Sequence, residues 1–269
     1  MGHPIYHLDL RTELCHVQVR LNGVPVAELT ATGEQPEWFA PPLNPYLVGA
    51  GNALEVVITP LKDGQPSDDF SALKVEGVVR RYEKGAPVGP GSGPLVYELT
   101  VMAALAERIK QAKDQDQKLA VPQSFVERFD NEATSFAAEL TQGSPLGDEQ
   151  ALRDYAMRLR DLMRARDVPG LARECAGKVQ AYAAAYQDDP ARIAQSLEQV
   201  LRDEYLPRGM KTDFERDEVE LMPVAEGRLW ELRRPGGLPF IQTEPDGNGS
   251  KMQMPVVVGL HQGALGVVR

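Results

Sequence analysis

The stretch NPYLVGAGNALEVVITPL, residues 44–61, decides how the first part of the chain is read. Gly49 and Gly51 give the backbone freedom, and Asn52 tolerates left-handed geometry while bonding its own turn. Leu54, Val56 and Ile58 then alternate with Ala53, Glu55 and Val57 until Pro60. A period of two marks a strand with one buried face. The stretch therefore predicts a turn that opens into a core strand. Its polar residues serve the turn, and no binding site is expected within it.

Working outward, CHVQVRL puts Cys15, Val17, Val19 and Leu21 on one face and His16, Gln18 and Arg20 on the other. Asn22-Gly23 follows, a dipeptide suited to the two positive φ values of a type I′ turn. VPVAELTA resumes the alternation and completes a hairpin. Pro25 cannot donate to a ladder, which places that strand at an edge. Val17, Val19 and Leu21 before Asn22-Gly23, with Gly51-Asn52 before Leu54, Val56 and Ile58, resemble the strand grammar of jelly-roll β-sandwiches related to galactose-binding-like domains. The resemblance implies a sandwich and transfers no sugar ligand.

FSALKVEGVVRRYEKG reads as a further strand, and PLVYELTVMAAL as a last strand or the start of a helix. Between them GAPVGPGSGP, residues 85–94, is the strongest breaker cluster in the chain. It is either a linker or a long hairpin loop. Alternation in LVYELTV favours the loop. From about residue 103 to 205 the pattern turns helical, with Ser124 and Glu127 as a capping box ahead of Phe125, Phe129, Ala133 and Phe136. Asp148 caps a helix striped by Leu152, Tyr155, Leu159, Leu162 and Met163. Asp167 marks another break, and Asp189-Pro190 starts a helix that stops at Pro207. Strands return from about 213 to 269, closing on a hairpin at Gln262-Gly263.

The expected fold is thus α+β in two domains. Residues 1–102 form an antiparallel, jelly-roll-like β-sandwich, and 103–269 form helices followed by a small antiparallel sheet. Helices followed by a run of strands are similar in order to the cone-shaped fold of nuclear-transport-factor-like proteins, a likeness of element order alone.

Candidate sites are few. Asp246, Asn248 and Ser250 in PDGNGSK begin a calcium-loop pattern, but Lys251 stands where Gly is required and Val257 where Glu should close the cage. An exposed turn is expected there. His3, His7 and His16 lack a converging set of ligands, and His261 is remote, so no metal is expected. Ser196, His261 and an Asp have no nucleophile-elbow context. GPGSGP lacks the Lys-Ser/Thr ending of a phosphate cradle. Asp68-Asp69, Glu218 with Glu220, and Glu244 with Asp246 are neighbouring carboxylates among 39 acidic residues, and such pairs arise by chance. No catalytic residue and no cofactor is expected. EQPEWFAPPLNPY is different: Trp38, Phe39 and Tyr46 lie among prolines that stiffen the loop, the arrangement with which sandwich modules stack on sugars or anchor a partner. Burial preference favours the alternative, in which Trp38 and Phe39 fold inward and plug one end of the sandwich.

Length and composition complete the expectation. The chain has 269 residues, 42% hydrophobic and 25% charged, with a formal net charge of −10. Nucleic acids and anionic membranes select cationic surfaces, so neither is expected as a partner. Cys15 and Cys175, far apart, read as two reduced, buried thiols. The amino terminus has no basic region ahead of an apolar run, and no stretch approaches the ~20 apolar residues of a membrane span. A soluble, cytoplasmic protein is expected. Three functions fit. The first is non-enzymatic binding of another protein, such as masking a basic partner in the manner of bacterial immunity or chaperone proteins. The second is carbohydrate binding or glycan processing on the sandwich. The third is a small-ligand or enzyme pocket in the carboxy-terminal domain.

Overall fold

The computed structural model describes residues 3–33 and 35–269. The fold is α+β, with antiparallel sheets and, among the described residues, six α-helices, five of them after residue 140. Among the described residues, no helix is long and apolar enough to cross a membrane. The chain divides into two compact units, Met1–Leu140 and Thr141–Arg269.

The first unit contains β1 (Pro4–Glu13), β2 (Cys15–Leu21), β3 (Val24–Ala31), β4 (Glu37–Phe39), β5 (Asn52–Lys62), β6 (Gln65–Pro66), β7 (Lys74–Glu83), β8 (Leu95–Glu98), α1 (Val101–Asp114) and β9 (Gln123–Phe129). One sheet runs β4-β1-β7-β8, and the other runs β3-β2-β5 with β6 and β9 also paired to β5. Every pairing is antiparallel. Alternation does the sorting: Tyr6, Leu8 and Leu10 of β1, Cys15 to Leu21 of β2, and Leu54, Val56 and Ile58 of β5 enter one core with Val101 and Leu105 of α1.

The hairpin expected at Asn22-Gly23 forms, with φ of 52° and 79° at its two turn residues. β3 lies at a sheet edge, as Pro25 requires. Residues 85–94 are the connection of the β7–β8 hairpin, the loop that alternation favoured.

The opening stretch acts as a clamp. Asn52 is fully buried; its amide group donates to Gly49 O, Phe129 O and Asn131 Oδ1, and its Oδ1 accepts from Val48 N and Asn22 Nδ2. Asn22 in turn donates to Tyr46 O and accepts from Ala53 N. Buried Asn44 accepts from Tyr6 N and donates to Pro4 O. These amides satisfy backbone groups that irregular chain would otherwise leave unpaired.

One expectation fails here. Residues 123–129 form a strand, and Ser124 with Glu127 make no capping box: Ser124 Oγ donates to Glu55 and Glu127 accepts from Thr100 N. Phe125 and Phe129 are four apart, a separation that places two side chains on one face of a helix and equally on one face of a strand. The run pairs with β5 from Asn52 to Ile58, so α1 and β9 belong to the first unit's core. The expected boundary at 102/103 falls inside that unit.

The second unit contains α2 (Glu149–Ala165), α3 (Val168–Glu174), α4 (Ala176–Tyr186), α5 (Pro190–Val200) and α6 (Leu206–Arg208). β10 (Glu220–Val224), β11 (Leu229–Arg234), β12 (Leu238–Pro239), β13 (Ile241–Gln242), β14 (Gln253–Met254), β15 (Val256–His261) and β16 (Ala264–Val267) follow. The caps foreseen at Asp148 and Asp189 form, accepting from Ala151 N and Ala191 N, and Asp167, expected only to mark a break, caps α3 by accepting from Gly170 N, each at 2.9 Å. The helical path does not stop before Pro207; it runs through one π turn, Leu201–Tyr205, into α6, where Pro207 lies in the first turn. The sheet β10-β11-β15-β16 packs Leu232, Val256, Val258 and Val267 against the α2 stripe, with Phe214 edge-on to Phe240 at 5.2 Å.

Residues 209–219 have almost no regular structure, and arginines of α2 supply their donors. Arg153 donates to Val219 O, Arg160 to Phe214 O at 2.9 Å and Arg164 to Thr212 O at 3.2 Å. Spacings of seven and four keep all three on one helix face. Cys15 and Cys175 are both free and buried. Burial pushes the Cys15 thiol up to about 12 and that of Cys175 to about 11.

Candidate functional site

The strand β4 forms because Glu37–Phe39 pairs with Thr12–Leu10 of β1, and it is the terminal strand of its sheet. Trp38 is 40% and Phe39 43% exposed, so neither plugs the core. The burial preference loses because a three-residue edge strand has a neighbour on one side only. Tyr46 separates from them: it ends a short 3-10 turn, Asn44–Tyr46, and its half-buried ring packs on the core. The expected three-aromatic loop is thus a pair plus a core residue.

The pair is also divided. Neighbours along a strand point to opposite faces. Phe39 is paired with Leu10 and takes the inner side, whereas Trp38 is paired with Arg11 and takes the outer side, the side of His7 and Asp9. There Trp38 is held in place. Its Nε1–H donates to Asp9 Oδ1. Asp9, only 7% exposed, also accepts from Gly91 N at 3.0 Å through Oδ2 and faces Arg80 Nε at 3.4 Å. Arg80 Nη1 donates to Gly93 O, and Tyr82 Oη to Ser92 O. His7 donates through Nδ1 to Ala40 O and meets the Tyr82 ring edge-on at 5.4 Å.

This carboxylate is an organiser. Both its oxygens are engaged, its charge is offset by Arg80, and it moors the 85–94 loop and the indole at one point. The arrangement presents an aromatic in a fixed pose and offers no free acid for proton transfer. Asp9 went unmarked in the sequence, although a short acid in the middle of an alternating strand is a poor strand former and gave the available signal.

The remaining candidates take up structural posts. His16 Nδ1 lies 2.8 Å from Thr30 Oγ1. Asp246 Oδ1 accepts from Asn248 N and Ser250 N, and these bonds hold its carboxyl below the ordinary value in an exposed turn. Trp230, the second tryptophan of the chain, is a β11 residue whose Nε1–H donates to Leu146 O. Among the described residues no three His, Cys, Asp or Glu side chains gather into a metal-binding set. In the second unit Tyr155 is buried, which raises its hydroxyl pKa strongly, and the Arg158 guanidinium lies 4.8 Å from its ring centre.

No known protein family, curated protein or solved structure matches this chain.

Proposed function

We propose that this is a non-enzymatic binding protein whose first unit, a jelly-roll-like β-sandwich, masks a basic segment of another protein along the β4 edge. The observation that carries the reading is the disposition of Trp38 and Phe39: both exposed, on opposite faces of one edge strand, with the indole tied to buried Asp9. A sugar ring stacks on one face and would use one aromatic. A peptide strand laid alongside β4 meets both, and it pairs with the backbone groups an edge strand leaves free. Fixing the indole beforehand reduces the ordering cost of association.

Charge supports a basic partner. Of the 39 Asp and Glu residues, 19 fall in Met1–Leu140, against 12 of the 29 Lys and Arg. An excess of this sign speeds encounter with a cationic partner and weakens with salt.

The test is quantitative capture from a native lysate with wild type, Trp38→Ala and Phe39→Ala, at low and at high salt, beside a glycan array. The reading expects one basic protein retained by wild type at low salt and lost with either substitution and with salt. Sugar binding that depends on Trp38 alone would assign the sandwich to glycans instead.

A further inference from the structure

A cleft in the second unit carries a separate site. It has a volume of about 350 Å³ and lies where the end of α2 meets α6 and the following loop. Arg164, Arg166 and Arg208 line it with Met163, Leu206, Met210 and Thr212, and no acidic residue is among its walls. Arg208 is paired with Asp246 at 3.2 Å. Arg164 and Arg166 have no such partner: among the described residues neither has a carboxylate within 4.0 Å. Each gives one N–H to a chain carbonyl, Thr212 O and Leu206 O, leaving the rest of each guanidinium uncommitted.

The charge here runs against that of the molecule. A chain with net charge −10 keeps two uncompensated cations at one cleft. The carboxy-terminal end of α2 offsets only part of this, since a helix end carries roughly half an elementary charge. The backbone adds a second observation. Arg166 closes α2 at φ 57°, the left-handed position at which Gly or Asn is preferred. The helix would close better with Gly, so the cap does not account for an arginine there.

We infer that this cleft binds an oxyanion, a phosphate monoester or a carboxylate, on a small molecule whose apolar part rests on Met163, Leu206 and Met210. Guanidinium forks match both anions in geometry, and a volume of this size is in the range of small-ligand sites.

Titrations of the full chain with phenyl phosphate, benzoate and benzyl alcohol, followed by calorimetry and amide chemical shifts, decide the matter. One of the two anions should bind at least tenfold tighter than benzyl alcohol, with shifts at residues 163–166 and 206–212. Arg166→Gly suits the left-handed cap and so keeps the fold, and Arg164→Gln retains length. Each should weaken the anion roughly tenfold, the usual worth of a charge-assisted hydrogen bond. Preference for phenyl phosphate assigns a phosphate ligand, and preference for benzoate a carboxylate. Anions binding no tighter than the alcohol, or binding unchanged in both variants, would overturn the inference.

Discussion

Asn52 shows what a single residue does in this fold. Its fully buried amide bonds Val48 N, Asn22 Nδ2 and Phe129 O, groups from three separate segments, and all three bonds are lost when the amide is removed. Asn52→Ala should cost on the order of 3 kcal/mol, read as a lower urea midpoint with an unchanged slope. The two thiols give a second residue-scale expectation. Held above their ordinary value of 9.0, they stay protonated and shielded in the native state. At pH 8 a disulfide reagent should find no fast-reacting thiol until denaturant is added, and then two. A raised folded value contributes stability that is full below pH 9 and is lost as pH rises toward 11 and 12. Alkaline unfolding in that window, monitored by circular dichroism, checks the sign. At this scale sequence revealed the turns and caps, because Asn-Gly and Asp-Pro act locally. It could not reveal that Trp38 is exposed or that Asp9 holds it, since that bond spans 29 residues and depends on the register of β4 on β1.

At the scale of elements, β9 separates the two patterns most sharply. Were Ser124 a helix cap, Ser124→Ala would cost about 1 kcal/mol. On the outer face of a strand its loss should stay within about 0.5 kcal/mol, while Phe125→Ala should cost about 3–5 kcal/mol because the ring enters the core. Chemical denaturation of the two variants distinguishes the assignments. Most other elements were legible: β2, β3, β5 and β7 by alternation, α2 and α5 by caps. The region after residue 103 misled for a definite reason. A shift from strand-like to helix-like composition looks like a boundary, yet α1 packs on the sheets and the chain then returns as β9 to pair with β5. Long-range pairing leaves no mark on local composition. The arginine face of α2 is likewise invisible until the 209–219 carbonyls are placed beside it.

For the whole molecule, the two cores share no residue. Leu159→Ala should therefore speed amide exchange across α2, β11 and β15 while β2 and β5 exchange as before, a contrast that mass spectrometry resolves. The two proposed roles follow the same division. The first unit presents two exposed aromatics at a sheet edge, one of them held by Asp9, and the second carries a cationic cleft in an otherwise acidic chain. The measurement that bears most directly on the binding role is hydrogen exchange at the amides of residues 37–39, free and with the captured partner. Strand addition predicts that these amides slow by at least tenfold, together with those of the partner's basic segment. Unchanged exchange at 37–39 in a saturated complex, with protection elsewhere, would contradict it.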